Sequence, residues 1–338
     1  MSASPAVAAS ERAAPILRVD ALKVCYALDG AAIAAVREVS LEVAAGECLG
    51  IVGESGSGKS QMVLAALGLL ARNARVEGSV SFEGTELLGL PAADLNRIRG
   101  SKLSMVFQDP MSSLTPHVRI GVQLAEVLVH HARVTWADAE RAALDMLVRV
   151  RVPEARRRMR QYPHELSGGM RQRVMIGISL MCGPKVVVAD EPTSALDVTV
   201  QAQILALLRE VRAQSGMSVV LISHDLGVVA SLAERIVVMY AGRVVESAPT
   251  IELLRTPRHP YTSLLIECAP SLHRARLDRM PCLQGVPPNP LDPEIGCAFA
   301  PRCPRVTDLC REQRPPLRRV DGAAVAVAQV ACHHPLHP

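Results

Sequence analysis

The sequence predicts an α/β fold built on one parallel sheet, and three stretches carry that reading. Residues 48–52 are a short apolar run that empties into Gly53-Glu54-Ser55-Gly56-Ser57-Gly58-Lys59-Ser60. That order of strand and glycine-rich loop wraps backbone N–H groups around a phosphate. Residues 185–190 (KVVVAD) and 218–223 (SVVLIS) are continuous apolar runs of strand length, the pattern of central parallel strands covered on both faces. Between them, residues 198–211 repeat apolar side chains at helical spacing, so strand, helix and strand alternate as a parallel sheet requires.

Along the chain, residues 1–15 are small and polar and lack the basic-then-apolar order of a secretory signal. They are expected to form a disordered leader on a cytosolic protein. Residues 16–19, 22–26 and 39–43 alternate as strands, with Asp29-Gly30 as a turn signal among them. After the glycine loop, residues 62–67 supply the apolar side of a helix whose positive end faces the phosphates. Residues 76–82 and 103–107 read as further strands. From about 116 to 160 the pattern becomes helical and charged, with one periodic helix beginning at Trp136. This is a helical insertion in a single core, since no internal repeat occurs.

The whole chain sets bounds on function. With 338 residues and 49% hydrophobic content, it can bury a full core and more than one domain. No apolar run approaches the roughly 20 residues that span a bilayer. A net charge of +4 is too mild to argue for nucleic acid, and 2% aromatic content leaves few stacking platforms for bases. The densest basic run, Arg156-Arg157-Arg158 with Arg160, reads as a solvated helix face. Only four of the 37 basic residues are lysine, which makes Lys59 inside the glycine loop more telling. Six of nine cysteines lie after residue 267 and 15 of 24 prolines after residue 248. Both shifts place a domain boundary near 250–257, with a loop-rich tail beyond it. Cys25, Cys48 and Cys182 sit in apolar runs and read as small core residues.

The residue types around the loop suggest a division of labour. The backbone from Gly53 through Glu54, Ser55, Gly56, Ser57 and Gly58 cradles an oxyanion, Lys59 reaches the terminal phosphates, Ser60 holds Mg²⁺, and Gln61 completes the contact set. The run 185–190 delivers Asp190 and Glu191 to the C-terminal edge of a buried strand, where ligands bind in open α/β sheets. Asp190 is suited to Mg²⁺, directly or through water, and Glu191 to polarising an attacking water. Ser167-Gly168-Gly169-Met170 precedes an apolar helix. Taken alone it is a helix start capped by Ser167; it also presents a hydroxyl and several N–H groups to an anion.

The glycine loop, LSGGM (residues 166–170), VVVADE (186–191), Ser194-Ala195-Leu196-Asp197 and His224 follow one another in the order of the ATP-binding-cassette (ABC) family. Over residues 16–250 the chain resembles a nucleotide-binding subunit of that family, whose nucleotide-binding domain would span 16–256. The resemblance implies a P-loop ATPase core of parallel sheet, an antiparallel β subdomain, and a helical subdomain at about 116–182, with ATP and Mg²⁺ as ligands. It implies that Tyr26 stacks on adenine, Gln108 senses Mg²⁺ and couples to membrane subunits, and His224 contacts the γ-phosphate. Asp197 would communicate across a dimer, while Ser167, Gly168 and Gly169 would serve the nucleotide of a facing subunit. Met170 departs from the glutamine that most members carry, and no loss of activity is expected from it.

In residues 257–338, His259-Pro260-Tyr261-Thr262, Gly296-Cys297-Ala298-Phe299 and Arg302-Cys303-Pro304 resemble the C-terminal extension of bacterial oligopeptide/dipeptide-type importers. The string FQDPMSSL from Phe107 supports the same subgroup. The resemblance implies two transmembrane permease subunits, a second and homologous ATP-binding subunit, an extracytoplasmic solute-binding protein, and a peripheral position on the cytoplasmic face of the inner membrane, with no role for nucleic acid. Nickel, glutathione and other small solutes are carried by related systems. Cys297, Cys303, Cys310 and Cys332 follow C-x5-C-x6-C-x21-C, which is neither a zinc-finger nor a common ferredoxin spacing. The spacing leaves a cluster, zinc and unligated thiols open; the resemblance implies a [4Fe–4S] cluster. Against a soluble ABC ATPase of DNA repair or translation stands the single cassette without a long coiled coil. Against another P-loop enzyme stands the Ser167–Gly169 motif. A binding module without turnover is opposed by intact Lys59, Asp190, Glu191 and His224.

Overall fold

A computed structural model describes residues 14–28, 31–109, 113–194, 196–269, 284–291, 294–320 and 328–337. The Asp29-Gly30 turn, residues 110–112 of the FQDPMSSL string, Ala195, Cys282 and nearly all of the leader lie outside the described residues.

Twelve strands are described in two sheets: β1 (Leu17–Leu28), β2 (Ala31–Val43), β3 (Cys48–Val52), β4 (Ala74–Phe82), β5 (Thr85–Glu86), β6 (Leu103–Val106), β7 (Val186–Asp190), β8 (Ser218–Ser223), β9 (Arg235–Tyr240), β10 (Arg243–Pro249), β11 (Arg318–Arg319) and β12 (Gln329–Val330). The larger sheet has the order β11-β12-β10-β9-β3-β8-β7-β6, and the smaller antiparallel sheet the order β2-β1-β4-β5. Strands β9, β3, β8, β7 and β6 run parallel to one another, and β10 pairs antiparallel with β9. Every residue of β3, β7 and β8 is buried, because alternate side chains enter two different cores. Leu49, Ile51, Val186, Val188, Val220 and Ile222 face the core shared with the antiparallel sheet. Cys48, Val52, Val187, Ala189, Val219 and Leu221 face the core shared with the helical insertion. That double burial is why these strands read as unbroken apolar runs.

The helical insertion holds helices Ile120–Ala132, Trp136–Arg149, Ala155–Arg158 and Gly168–Leu180. Thr135 caps the second, its hydroxyl accepting from the Asp138 N–H, which is why the periodic pattern starts at Trp136. Among the basic run, Arg156, Arg157 and Arg160 are exposed, while Arg158 is drawn in against Glu154 and Gln161.

Two expectations are corrected. The segments 16–19, 22–26 and 39–43 are parts of two long strands, not three short ones. Register shifts between Val19 and Leu22, with Ala21 at φ 45°, reset the alternation mid-strand and break it up in the sequence. The tail is less loop-like than its proline content implies: β12 pairs antiparallel with β10, and β11 with β12, so the tail extends the main sheet. Among the described residues no helix is long and apolar enough to cross a membrane.

Candidate active site

The C-terminal ends of β3, β6, β7 and β8 converge on one edge of the main sheet, and each brings one part of the site. From β3 comes the glycine loop. Gly58 sits at φ 93°, where a Cβ would lie 2.3 Å from the Ala35 carbonyl oxygen, so only glycine fits. It caps helix Lys59–Ala66, whose N-terminus opens into the loop. The Lys59 ammonium turns back into the loop and donates to the carbonyls of Gly53 (2.7 Å) and Glu54 (2.9 Å) and to Ser57 Oγ (3.3 Å). Burial holds its pKa below the usual range, against the pull of Glu191, Asp190 and Glu54. These acceptors are a stand-in for an anion, which a phosphate oxygen would replace. Ser55 and Gly56 are exposed at the loop's tip.

From β7 come Asp190 and Glu191. Asp190 is 4% exposed, and its Oδ1 is a buried acceptor with no protein partner. Burial pushes its carboxyl above the usual range, while the Ser60 hydroxyl donates to it and Lys59 pulls it down. A buried orphan carboxylate oxygen beside a serine hydroxyl is the donor set a divalent cation takes, so these residues fit Mg²⁺. Glu191 adopts φ 46°, a left-handed conformation uncommon outside glycine and frequent where geometry serves chemistry. Its Oε1 lies 3.1 Å from His224 Nδ1 at the end of β8, and its Oε2 accepts from Gln108 Nε2 (3.2 Å) just past β6. Two side chains from two other strand ends thus hold one carboxylate.

The remaining expected residues take less direct positions. The Tyr26 hydroxyl donates to Gln61 Oε1, which ties the ring to the first turn after the loop. Ser167 caps helix Gly168–Leu180 by accepting from the Met170 N–H (3.4 Å). Ser167 and Gly168 are exposed, and among the described residues no hydrogen bond joins them to the glycine loop. Asp197 caps helix Val198–Ser215 through the Val200 N–H (2.9 Å), and Asp225 caps the short helix after His224.

Cys297, Cys303, Cys310 and Cys332 line one cavity of about 10 Å³, with His333 and His334 at its wall. That is room for about one water. Among the described residues no three His, Cys, Asp or Glu side chains are arranged to hold a metal ion, so the metal-site expectation is not met in this conformation. Burial pushes the thiols of Cys297 and Cys303 up, and that of Cys332 to about 11.

Sequence reasoning missed two residues at the site. Tyr261 Oη accepts from the Glu54 N–H (3.0 Å), and Arg302 makes a two-point ion pair with the Glu54 carboxylate (2.8 and 2.9 Å). Each lies more than 200 residues from Glu54, so no local spacing could have signalled the contact.

A glycine-loop lysine, a buried metal-type carboxylate and a glutamate held by histidine and glutamine define a nucleoside-triphosphate hydrolase of the cassette type. Comparison with known proteins agrees. The ABC transporter family model matches residues 36–194, and the model for the oligopeptide/dipeptide transporter C-terminal region matches residues 245–310. The oligopeptide transport ATP-binding protein OppD of Salmonella typhimurium is 47% identical over 310 residues, covering 92% of both chains. The OppD protein of Mycobacterium tuberculosis is 49% identical over 304 residues, 90% of this chain and 50% of that one. A dimeric ATP-binding cassette solved in a post-hydrolysis state with ADP and Pi superposes with a TM-score of 0.63 at 29% identity, covering 69% of this chain and 98% of its own. The chain belongs to the ATP-binding proteins of the ABC transporter family, and it is an ATPase.

Proposed function

We propose that the chain is the ATP-hydrolysing subunit of a peptide importer. It works as a peripheral subunit on the cytoplasmic face of the membrane, beside two permease subunits, a second homologous ATP-binding subunit and an external solute-binding protein. The observation that carries this reading is the 47% identity to an oligopeptide transport ATP-binding protein across 92% of both chains, tail included. Residues 16–256 form the nucleotide-binding domain, with the helical subdomain at about 116–182, and 257–338 form the importer-type extension.

In this reading ATP displaces the carbonyls that now hold Lys59, and the ammonium moves onto the β- and γ-phosphates. Backbone N–H groups of 53–60 take the remaining phosphate oxygens, and Tyr26 covers the adenine. Ser60, Asp190 and Gln108 would hold Mg²⁺, which supplies charge neutralisation at the phosphates when bound. Glu191 accepts a proton from the attacking water, and His224 holds Glu191 and meets the γ-phosphate. Exposed Ser167 and Gly168, together with Gly169, bind the nucleotide of a facing subunit, with Asp197 reporting across the same interface. ATP then closes the pair, and hydrolysis opens it. The test is uptake: deletion of this chain should abolish uptake of labelled oligopeptides and spare that of single amino acids. Unchanged peptide uptake, with loss of nickel or glutathione uptake, would select the other solute class.

A second reading concerns the tail thiols. Cys297, Cys303, Cys310 and Cys332 serve as ligands of a [4Fe–4S] cluster, in preference to zinc. Four thiols from separate segments lining one cavity support it, since donor number and kind fit a cluster. The cavity walls must part and the thiols ionise for the group to enter. Iron and sulfide in a ratio near one, with a brown colour after anaerobic purification, are expected; a colourless protein without iron rejects the reading.

A further inference from the structure

The contact between the tail and the glycine loop is built with unusual care for residues so distant in sequence. Glu54 is held at three points. Its N–H donates to Tyr261 Oη, its carbonyl accepts from Lys59, and its carboxylate takes both guanidinium N–H arms of Arg302. The Arg302 side chain is 4% exposed and that of Glu54 24%. Arg302 also donates to Tyr240 Oη (3.1 Å) and to the Gln284 carbonyl (3.0 Å). Beneath this, Tyr240, Tyr261 and Phe299 pack as an aromatic triangle with centroids 4.7 to 5.3 Å apart. The tail is thereby anchored under the loop by apolar contact and joined to it by charge.

The charge has a purpose that packing alone does not explain. A carboxylate at the second position of a phosphate loop sits beside the place where a polyanion must bind. Left free, it would repel ATP through a partly desolvated path, where Coulomb terms are strong. We infer that Arg302 is a positioning residue for ATP binding: it neutralises Glu54 and turns its carboxylate away from the phosphates, so the tail sets how well the loop accepts nucleotide. Arg302 acts through Glu54 and meets no substrate itself. The inference rests on residues 53–60 being the ATP site.

The full-length chain with Arg302→Gln, Glu54→Gln, both together, and Arg302→Lys tests this, with equilibrium ATP binding and ATPase kinetics as readouts. Arg302→Gln should weaken ATP binding and raise KM about tenfold, with kcat changed less than about twofold. Glu54→Gln keeps the loop's backbone groups and removes only the side-chain charge, and it is the reference for the double variant. The double variant should bind ATP within about threefold of Glu54→Gln, because the unpaired carboxylate is gone. A double variant as weak as Arg302→Gln would show that Arg302 only holds the tail, and would overturn the inference. So would unchanged binding in Arg302→Gln. If that variant melts early, Arg302→Lys, which keeps the charge, must bind ATP within about threefold of wild type; a tenfold loss in an Arg302→Lys chain that melts like wild type overturns the inference. Failure of the wild-type chain to bind ATP would instead refute the assignment of the site.

Discussion

Replacing Glu191 with glutamine isolates proton acceptance from shape. The side chain is 12% exposed and held by His224 at 3.1 Å and Gln108 at 3.2 Å. A glutamine amide oxygen can still accept from Gln108 Nε2, and its NH₂ can donate to an unprotonated His224 Nδ1. The local arrangement should therefore persist, including the left-handed backbone, which glutamine adopts as readily as glutamate. What is lost is a group able to take a proton from water. A positioned general base contributes on the order of 10²–10⁴ in rate, about 3–5 kcal/mol of barrier. Phosphate release at saturating ATP should fall by that factor, while ATP affinity stays within about twofold and the melting temperature is unchanged. Hydrolysis at the wild-type rate would remove Glu191 from the base role. Lost ATP binding would mean that the carboxylate charge, and not its basicity, is what the site uses.

Three further outcomes follow from geometry and titration. Gly58→Ala places a Cβ 2.3 Å from the Ala35 carbonyl at φ 93°; ATP binding should be lost, as read by a fluorescent nucleotide, with the far-ultraviolet circular dichroism retained. Met170→Gln should leave turnover within about twofold, because in the proposed reading Ser167 and the glycine N–H groups make the anion contacts; a tenfold loss would show that the side chain itself contributes. His259 is buried, and its Nδ1 accepts from the Tyr261 N–H, so burial pushes its pKa from 6.5 down to about 3. A depressed histidine contributes stability that is present above its unfolded pKa and lost as pH falls through the window from 6.5 toward 3. At pH 5 the loss is about 2 kcal/mol. Glu246, which accepts from the His259 N–H and is raised by burial, opposes part of this as it protonates. Denaturant melts at pH 7 and 5 should show the loss in wild type and a shallower one in His259→Gln; equal slopes would contradict it.

How much the sequence disclosed followed from distance along the chain. Strands β3, β7 and β8 were legible because burial on both faces leaves only apolar residues, and the loop at 53–60 because its glycines and Lys59 are contiguous. Asp190 and Glu191 were readable as a strand end with carboxylates, yet their grouping with Gln108 and His224 rested on family order, since three separate strands deliver them. The long hairpin β1–β2 was read in fragments because register shifts erase the alternation. Arg302 and Tyr261 were invisible as site residues: an ion pair spanning 248 positions has no periodicity to find. The capping duty of Asp197 was missed for a different reason, as one carboxylate can serve both its own helix and an interface.

The central claim is that the glycine loop of one subunit and the Ser167 loop of another grip the same nucleotide. Ser167→Arg tests it most directly, because Ser167 is exposed and, among the described residues, its side chain bonds only to its own helix start and not to the glycine loop of the same chain. In the isolated chain, ATP affinity should stay within about twofold. In the assembled transporter, ATP turnover should fall by about a hundredfold or more. An equal loss of ATP affinity in the isolated chain, or full turnover in the assembly, would contradict the account.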